Sequence, residues 1–145
     1  MKLEYASLFT HVNQTVIMKV KIDTKEKFHV ITLIEPILSD NIAADLSQLV
    51  TQFLHQEISN VVLKIGDVEN IEDRAAEELA QIQQVFYEKN ASFVICDLKP
   101  EVEQKLDEMG LLEEMNITPS ESEAWDIVQM EEIEREYMDD NNENL

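Results

Sequence analysis

The side chains with the greatest capacity for chemistry are four carboxylates, Asp67, Glu69, Glu72 and Asp73, crowded into one short segment. Hard cations take oxygen ligands, so the cluster could hold Mg²⁺ or Ca²⁺ and act as a metal or ligand sensor. Its spacing is not that of an EF-hand, and in a chain with 31 acidic and 11 basic residues an acidic loop is ordinarily a solvated one. His11, His29 and His55 are too scattered for the H-x-x-x-H or Cys/His spacing of a zinc site, so no metal is expected. The single Cys96 excludes an internal disulfide and, inside the run Phe93-Val94-Ile95-Cys96, reads as a small hydrophobe rather than a nucleophile. With Gly66 and Gly110 as the only glycines, there is no phosphate-cradling loop. No G-x-S-x-G occurs, and the span Asn60 to Ala91 holds no Ser, Thr, Cys or His. Neither catalysis nor a cofactor is expected. Binding through a surface is the leading class of function.

The net charge of −20 opposes binding to nucleic acid, which requires clustered Lys and Arg against phosphate. Basic partners, or none, are implied. No apolar run approaches the roughly 20 residues of a membrane helix, and the first residues lack the apolar stretch of a secretion signal, so a cytoplasmic protein without membrane insertion is expected. A hydrophobic content of 44% over 145 residues suits one globular domain.

The elements that must carry the loop follow from periodicity. Met18 to Ile22 and Phe28 to Ile34 read as strands around a polar turn. Ser39 or Asp40 can cap a helix with Ile42, Leu46, Leu49, Val50 and Phe53 on one face. Val61 to Ile65 reads as a strand buried on both faces, and Ala75, Leu79, Ile82 and Phe86 form the stripe of a second helix. Phe93 to Leu98 is a further buried strand. Pro100 and Gly110 bracket a third helix, and Met115 to Thr118 gives a last strand. Ser120-Glu121-Ser122-Glu123 has the spacing of a capping box and opens a fourth helix through Tyr137. Strands alternating with helices imply an α/β fold with a single open mixed sheet and about four helices packed on it. Residues 18–137 form that domain. Residues 1–17 are an N-terminal extension: either a real extra strand lies there, since Thr15-Val16-Ile17 can lengthen the first strand, or the start is assigned too early. Residues 138–145 read as an acidic, solvated tail.

The order of Phe28-His29-Val30-Ile31-Thr32-Leu33, Val61-Val62-Leu63-Lys64-Ile65, Phe93-Val94-Ile95-Cys96 and Leu98-Lys99-Pro100-Glu101-Val102, with Leu106-Asp107-Glu108-Met109-Gly110-Leu111, resembles the STAS domain. Within that family the chain is most similar to bacterial anti-sigma factor antagonists. The resemblance implies a signalling protein in transcription regulation whose partner is an anti-sigma factor serine kinase. In those antagonists a D-S-S-G-L segment opens the second helix, and its second serine is phosphorylated. Aligned without gaps from Val68 to Pro100, the segment falls on Glu72-Asp73-Arg74-Ala75-Ala76, so Arg74 occupies the phosphorylated position. The resemblance places partner binding on Glu69, Asn70, Glu72, Asp73, Arg74, Glu77 and Glu78. Independently of it, a carboxylate at a helix start is favoured by the dipole, so Asp73 reads as the N-cap of the second helix. The alternatives are a STAS subunit of a lipid-transport complex, a carboxylate-loop metal or ligand sensor, and a purely structural oligomer subunit.

Overall fold

The computed structural model describes residues 2–9 and 15–143, with side chains from 18 to 138; His11 lies outside the described residues. In chain order the elements are β1 (Lys2–Phe9), β2 (Thr15–Thr24), β3 (Phe28–Leu33), β4 (Ile37–Leu38), α1 (Asp40–Gln52), β5 (Asn60–Lys64), β6 (Asn70–Ile71), α2 (Asp73–Glu88), β7 (Phe93–Cys96), α3 (Pro100–Glu108), β8 (Asn116–Thr118) and α4 (Glu121–Glu143). Six of the strands form one mixed sheet in the order β1-β2-β3-β5-β7-β8. The β1–β2 and β2–β3 pairs are antiparallel, and β3, β5, β7 and β8 are parallel through helical crossovers. The α/β sheet with four helices expected from the sequence is therefore present.

The central strands bury both faces. On β5, Val61 and Leu63 join the larger core with Leu46, Val50, Leu79, Ile82 and Phe86, while Val62 joins a smaller one with Phe28, Val30, Val94, Cys96, Ala124 and Val128. Side chains alternate along a strand, so these two sets face opposite ways: α1 and α2 cover one face and α4 the other. Phe86 and Phe93 meet in the larger core with ring centroids 5.2 Å apart. Local signals fix the helix ends. Ser39 Oγ accepts from Ile42 N at 3.2 Å, Pro100 opens α3, and Gly110 follows it at φ 73°, where a Cβ would be strained. Ser120 Oγ accepts from Glu123 N at 3.4 Å, one half of the capping box.

The extra strand considered for residues 1–17 is present: β2 begins at Thr15, and Lys2–Phe9 pair along it as an edge strand. Two features differ from the sequence reading. The helix α4 runs to Glu143, over most of the 138–145 segment expected to be a solvated tail; adding residues to a helix already nucleated upstream is easier than starting one, so it continues through the weaker helix formers Asp139, Asp140, Asn141 and Asn142. The two-residue strands β4 and β6 pair in parallel as a separate ribbon, too short to leave a periodic signal.

The smaller core presents only Ala124 and Val128 from α4 as fully buried side chains, so polar contacts share the work of holding that helix. Asn60, 4% exposed, is their hub. Its Nδ2 donates to Lys27 O at 3.0 Å and Glu132 Oε1 at 2.8 Å, and its Oδ1 accepts from Ser92 N at 2.8 Å. In Asn60→Ala the Ser92 N–H loses its partner in a buried site, and stability should fall by about 2 kcal/mol in urea unfolding.

Asp45 of α1 is 2% exposed, and its Oδ2 has no partner among the described residues. Burial raises its pKa above the usual 3.8. The folded state then binds the proton more tightly than the unfolded one, so the carboxylate costs stability as pH rises from 3.8 through the folded value. Asp45→Asn should raise stability at pH 7 by about 1 kcal/mol, with the gain shrinking toward pH 3, as read by melts across that range.

Candidate protein-binding site

The segment from Glu69 to Glu78 is built by tertiary contacts rather than by its own capping. Backbone N–H groups of Glu69 and Asn70 donate to Pro36 O at 2.7 and 3.3 Å, which sets β6 beside β4. Glu72, not Asp73, is the N-cap of α2, and its side chain makes no capping bond there. Instead Glu72 Oε1 accepts from Asp40 N at 2.8 Å, satisfying a free amide at the start of α1. The expected capping role of Asp73 is thus corrected. Asp73 is the first residue inside the helix, where its carboxylate complements the macrodipole.

A residue absent from the sequence reading holds this corner. Lys105 of α3 pairs with Asp73 Oδ1 at 3.0 Å and donates through Nζ to Ile71 O. Ile71 itself is fully buried, so its carbonyl needs that donor. The only sequence sign of Lys105 was a lone cation late in a short acidic helix, with nothing to indicate a target more than thirty residues upstream. Nearby, Lys99 Nζ donates to Gly66 O at 2.6 Å and closes the turn after β5.

Glu69, Asn70, Glu72, Asp73, Arg74 and Glu77 are exposed and Glu78 is half-buried, so none of the seven expected residues is enclosed by the core. Ile37, half exposed at 49% and paired in register with Asn70, adds an apolar side chain that the sequence reading did not include. The carboxylates do not converge: Glu72 reaches toward α1 and Asp73 toward α3. Among the described residues no three His, Cys, Asp or Glu side chains form a metal-binding group.

The other titratable candidates are structural. His29 is buried between Thr24 Oγ1 on Nδ1 and Ile58 O on Nε2, both at 2.9 Å, and stacks on Phe53 at 4.1 Å. Burial lowers its pKa despite the backbone hydrogen bond. Burial likewise pushes the Cys96 thiol up to about 12, leaving it without thiolate character. Desolvation opposes the charge of Lys64 at the end of β5, yet Glu121 at 3.2 Å and Asp97 at 3.7 Å outweigh it and raise the pKa. That cluster ties the start of α4 to the sheet.

An exposed helix start with mixed charge and no nucleophile, on an open sheet with helices on both faces, can then be compared with known proteins. Residues 19–124 match the STAS domain. The chain belongs to the STAS family. This STAS domain superposes on the Thermotoga maritima protein TM1081 with 20% identity and a TM-score of 0.65, covering 76% of this chain and 94% of that one. It superposes on RsbS of Moorella thermoacetica with 21% identity and a TM-score of 0.64, covering 76% and 94%. For unphosphorylated SpoIIAA, an anti-sigma factor antagonist of Bacillus, the values are 13% identity, a TM-score of 0.61, and 76% and 96% coverage. No curated protein matches the chain. Strand β1 and all of α4 past Ala124 lie outside the family match. No helix among the described residues is long and apolar enough to cross a membrane.

The two bonds of Lys105 should separate in experiment. The carboxylate of Asp73 is 77% exposed, so Asp73→Asn should cost under about 1 kcal/mol. Lys105→Met, which also orphans the carbonyl of Ile71, should cost about 1 to 3 kcal/mol in chemical denaturation.

Proposed function

We propose that this STAS domain is a non-enzymatic, cytoplasmic regulatory module that binds a protein partner through Glu69, Asn70, Glu72, Asp73, Arg74, Glu77 and Glu78. The partner class is an anti-sigma factor serine kinase, and the role is that of an anti-sigma factor antagonist in transcription regulation. The observation that carries the reading is the exposed first turn of α2, where Asp73-Arg74 stand at the place that the resemblance gives to the antagonists' paired serines. SpoIIAA, of the same fold, is known in phosphorylated and unphosphorylated forms.

Binding here is independent of phosphorylation. A phosphoserine at a helix start adds about −1.5 to −2 charges and remakes the contact surface. Arg74 carries a fixed positive charge instead, and Tyr87 is the sole hydroxyl between Asn60 and Ala91, at the far end of α2. The protein therefore acts as an always-available competitor for its partner. The sensor alternative is weakened because Glu72 and Asp73 are already engaged by Asp40 N and Lys105.

Replacing Asp73-Arg74 by Ser-Ser tests this reading. A cognate serine kinase should incorporate phosphate into the variant and none into the unmodified chain, while both bind it before phosphorylation. Failure of both to bind, or phosphorylation of the unmodified chain at Tyr87 with a change in binding, would overturn it.

A further inference from the structure

Helix α4 carries two apolar faces, and the sheet uses one. Ala124 and Val128 are buried, while Met130, Ile133 and Tyr137, spaced i, i+3, i+7 on the far side of the helix, are 49%, 66% and 66% exposed. Scattered apolar side chains on a surface are ordinary, but a helical stripe of them is a docking pattern. The stripe adjoins a groove. Past the edge strand β8, α2 and α4 approach one another from the two faces of the sheet, and Asn116 fastens both: its N donates to Gln83 Oε1 at 3.1 Å and its Nδ2 to Glu131 Oε2 at 3.2 Å. Gln83, Tyr87 and Glu88 of α2 and Glu131, Glu134 and Met138 of α4 line a groove of about 790 Å³. Tyr87 is 74% exposed and Met138 60%, so each wall offers an unpartnered apolar side chain.

The charge around these apolar groups is predominantly negative. Glu88, Glu131 and Glu134 lie in the groove, and Asp126 and Glu136 are exposed along the stripe. Lys89 stands exposed beside Glu88 at the end of α2, and the one cation among the residues that line the groove, Arg135, turns inward, its Nη1 donating to Ser92 Oγ at 3.2 Å and its Nη2 to Asn60 Oδ1 at 3.4 Å. A second copy of the chain would set acidic rim against acidic rim in a protein of net charge −20.

We infer that the α2–α4 groove and the outer stripe of α4 form a second docking surface, whose occupant is a basic amphipathic helix of a partner protein. Apolar residues of that helix meet Tyr87, Met130, Ile133, Tyr137 and Met138, and its Lys or Arg flanks meet the carboxylates. The surface is separate from the Arg74 face: α2 has 16 residues, which puts its two ends about 22 Å apart. It is also formed largely by the part of α4 outside the family match. One chain can then hold two partners at opposite ends of α2.

The probe is a fluorescein-labelled 18-residue peptide of Lys and Leu with helical i, i+3, i+4, i+7 patterning, titrated against the full chain by anisotropy at about 0.15 M salt, beside a scrambled peptide of equal composition. The patterned peptide should bind saturably and at least tenfold more tightly than the scrambled one. Ile133→Ser, Met138→Ser and Glu134→Lys should each weaken it several-fold with circular dichroism unchanged, and Arg74→Ala should leave it unaltered. Equal affinity for both peptides would mean charge attraction alone and would overturn the inference, as would indifference to all three substitutions. A dimer in sedimentation that Ile133→Ser dissolves would assign the surface to a second copy and overturn it equally.

Discussion

The middles of strands β5 and β7 are apolar on both faces, and the architecture follows from covering both of their sides. Val61, Leu63, Phe93 and Ile95 require one helical layer, and Val62, Val94 and Cys96 require another. Each fully buried aliphatic or aromatic side chain is worth about 1.5 to 3 kcal/mol relative to exposure, so neither layer is optional. The first layer is supplied by α1 and α2. The second comes from α4, the last helix described, which must travel across the sheet to reach its place.

Unequal layers explain where the polar contacts are. The α1–α2 side has a broad apolar contact, whereas α4 lays only a short apolar stretch on the sheet. Charge and hydrogen bonding complete its attachment: Glu121 to Lys64 at one end, Asn116 to Glu131 along the edge, and Glu132 and Arg135 to the buried Asn60 at the other. Several of the chain's few cations are used in this internal way, Lys64, Lys99, Lys105 and Arg135 among them. The outer surface is left more acidic than composition alone implies, and Arg74 stands out on it.

That distribution links structure to recognition. A rigid helix, α2, is pinned at its start by Lys105 and the β4–β6 ribbon, and along its length by the core through Leu79, Ile82 and Phe86. Whatever binds its first turn meets a surface that is already ordered, and ordering costs that would otherwise offset affinity are small. An exposed arginine amid carboxylates gives such a surface directional charge rather than a uniform field.

Hydrophobic period, turn residues and the absence of nucleophiles and glycine loops were sufficient to place α1 to α4, the central strands, the α/β class and the lack of a recognisable catalytic motif, because each is a property of a few consecutive residues. Ser39, Pro100, Gly110 and Ser120 marked helix ends correctly, since capping is settled within one turn. The start of α2 was misread by one residue for the opposite reason. Glu72 and Asp73 are chemically equivalent as caps, and what separated them was Asp40 N and Lys105, brought alongside from 32 residues away in each direction. The β4–β6 ribbon, the hub at Asn60 and the groove lined by both Tyr87 and Met138 were equally beyond local reading. Sequence determines which face of each element is apolar; only the packed tertiary structure decides which polar side chains meet, because those pairings depend on distances that the chain's own order does not encode.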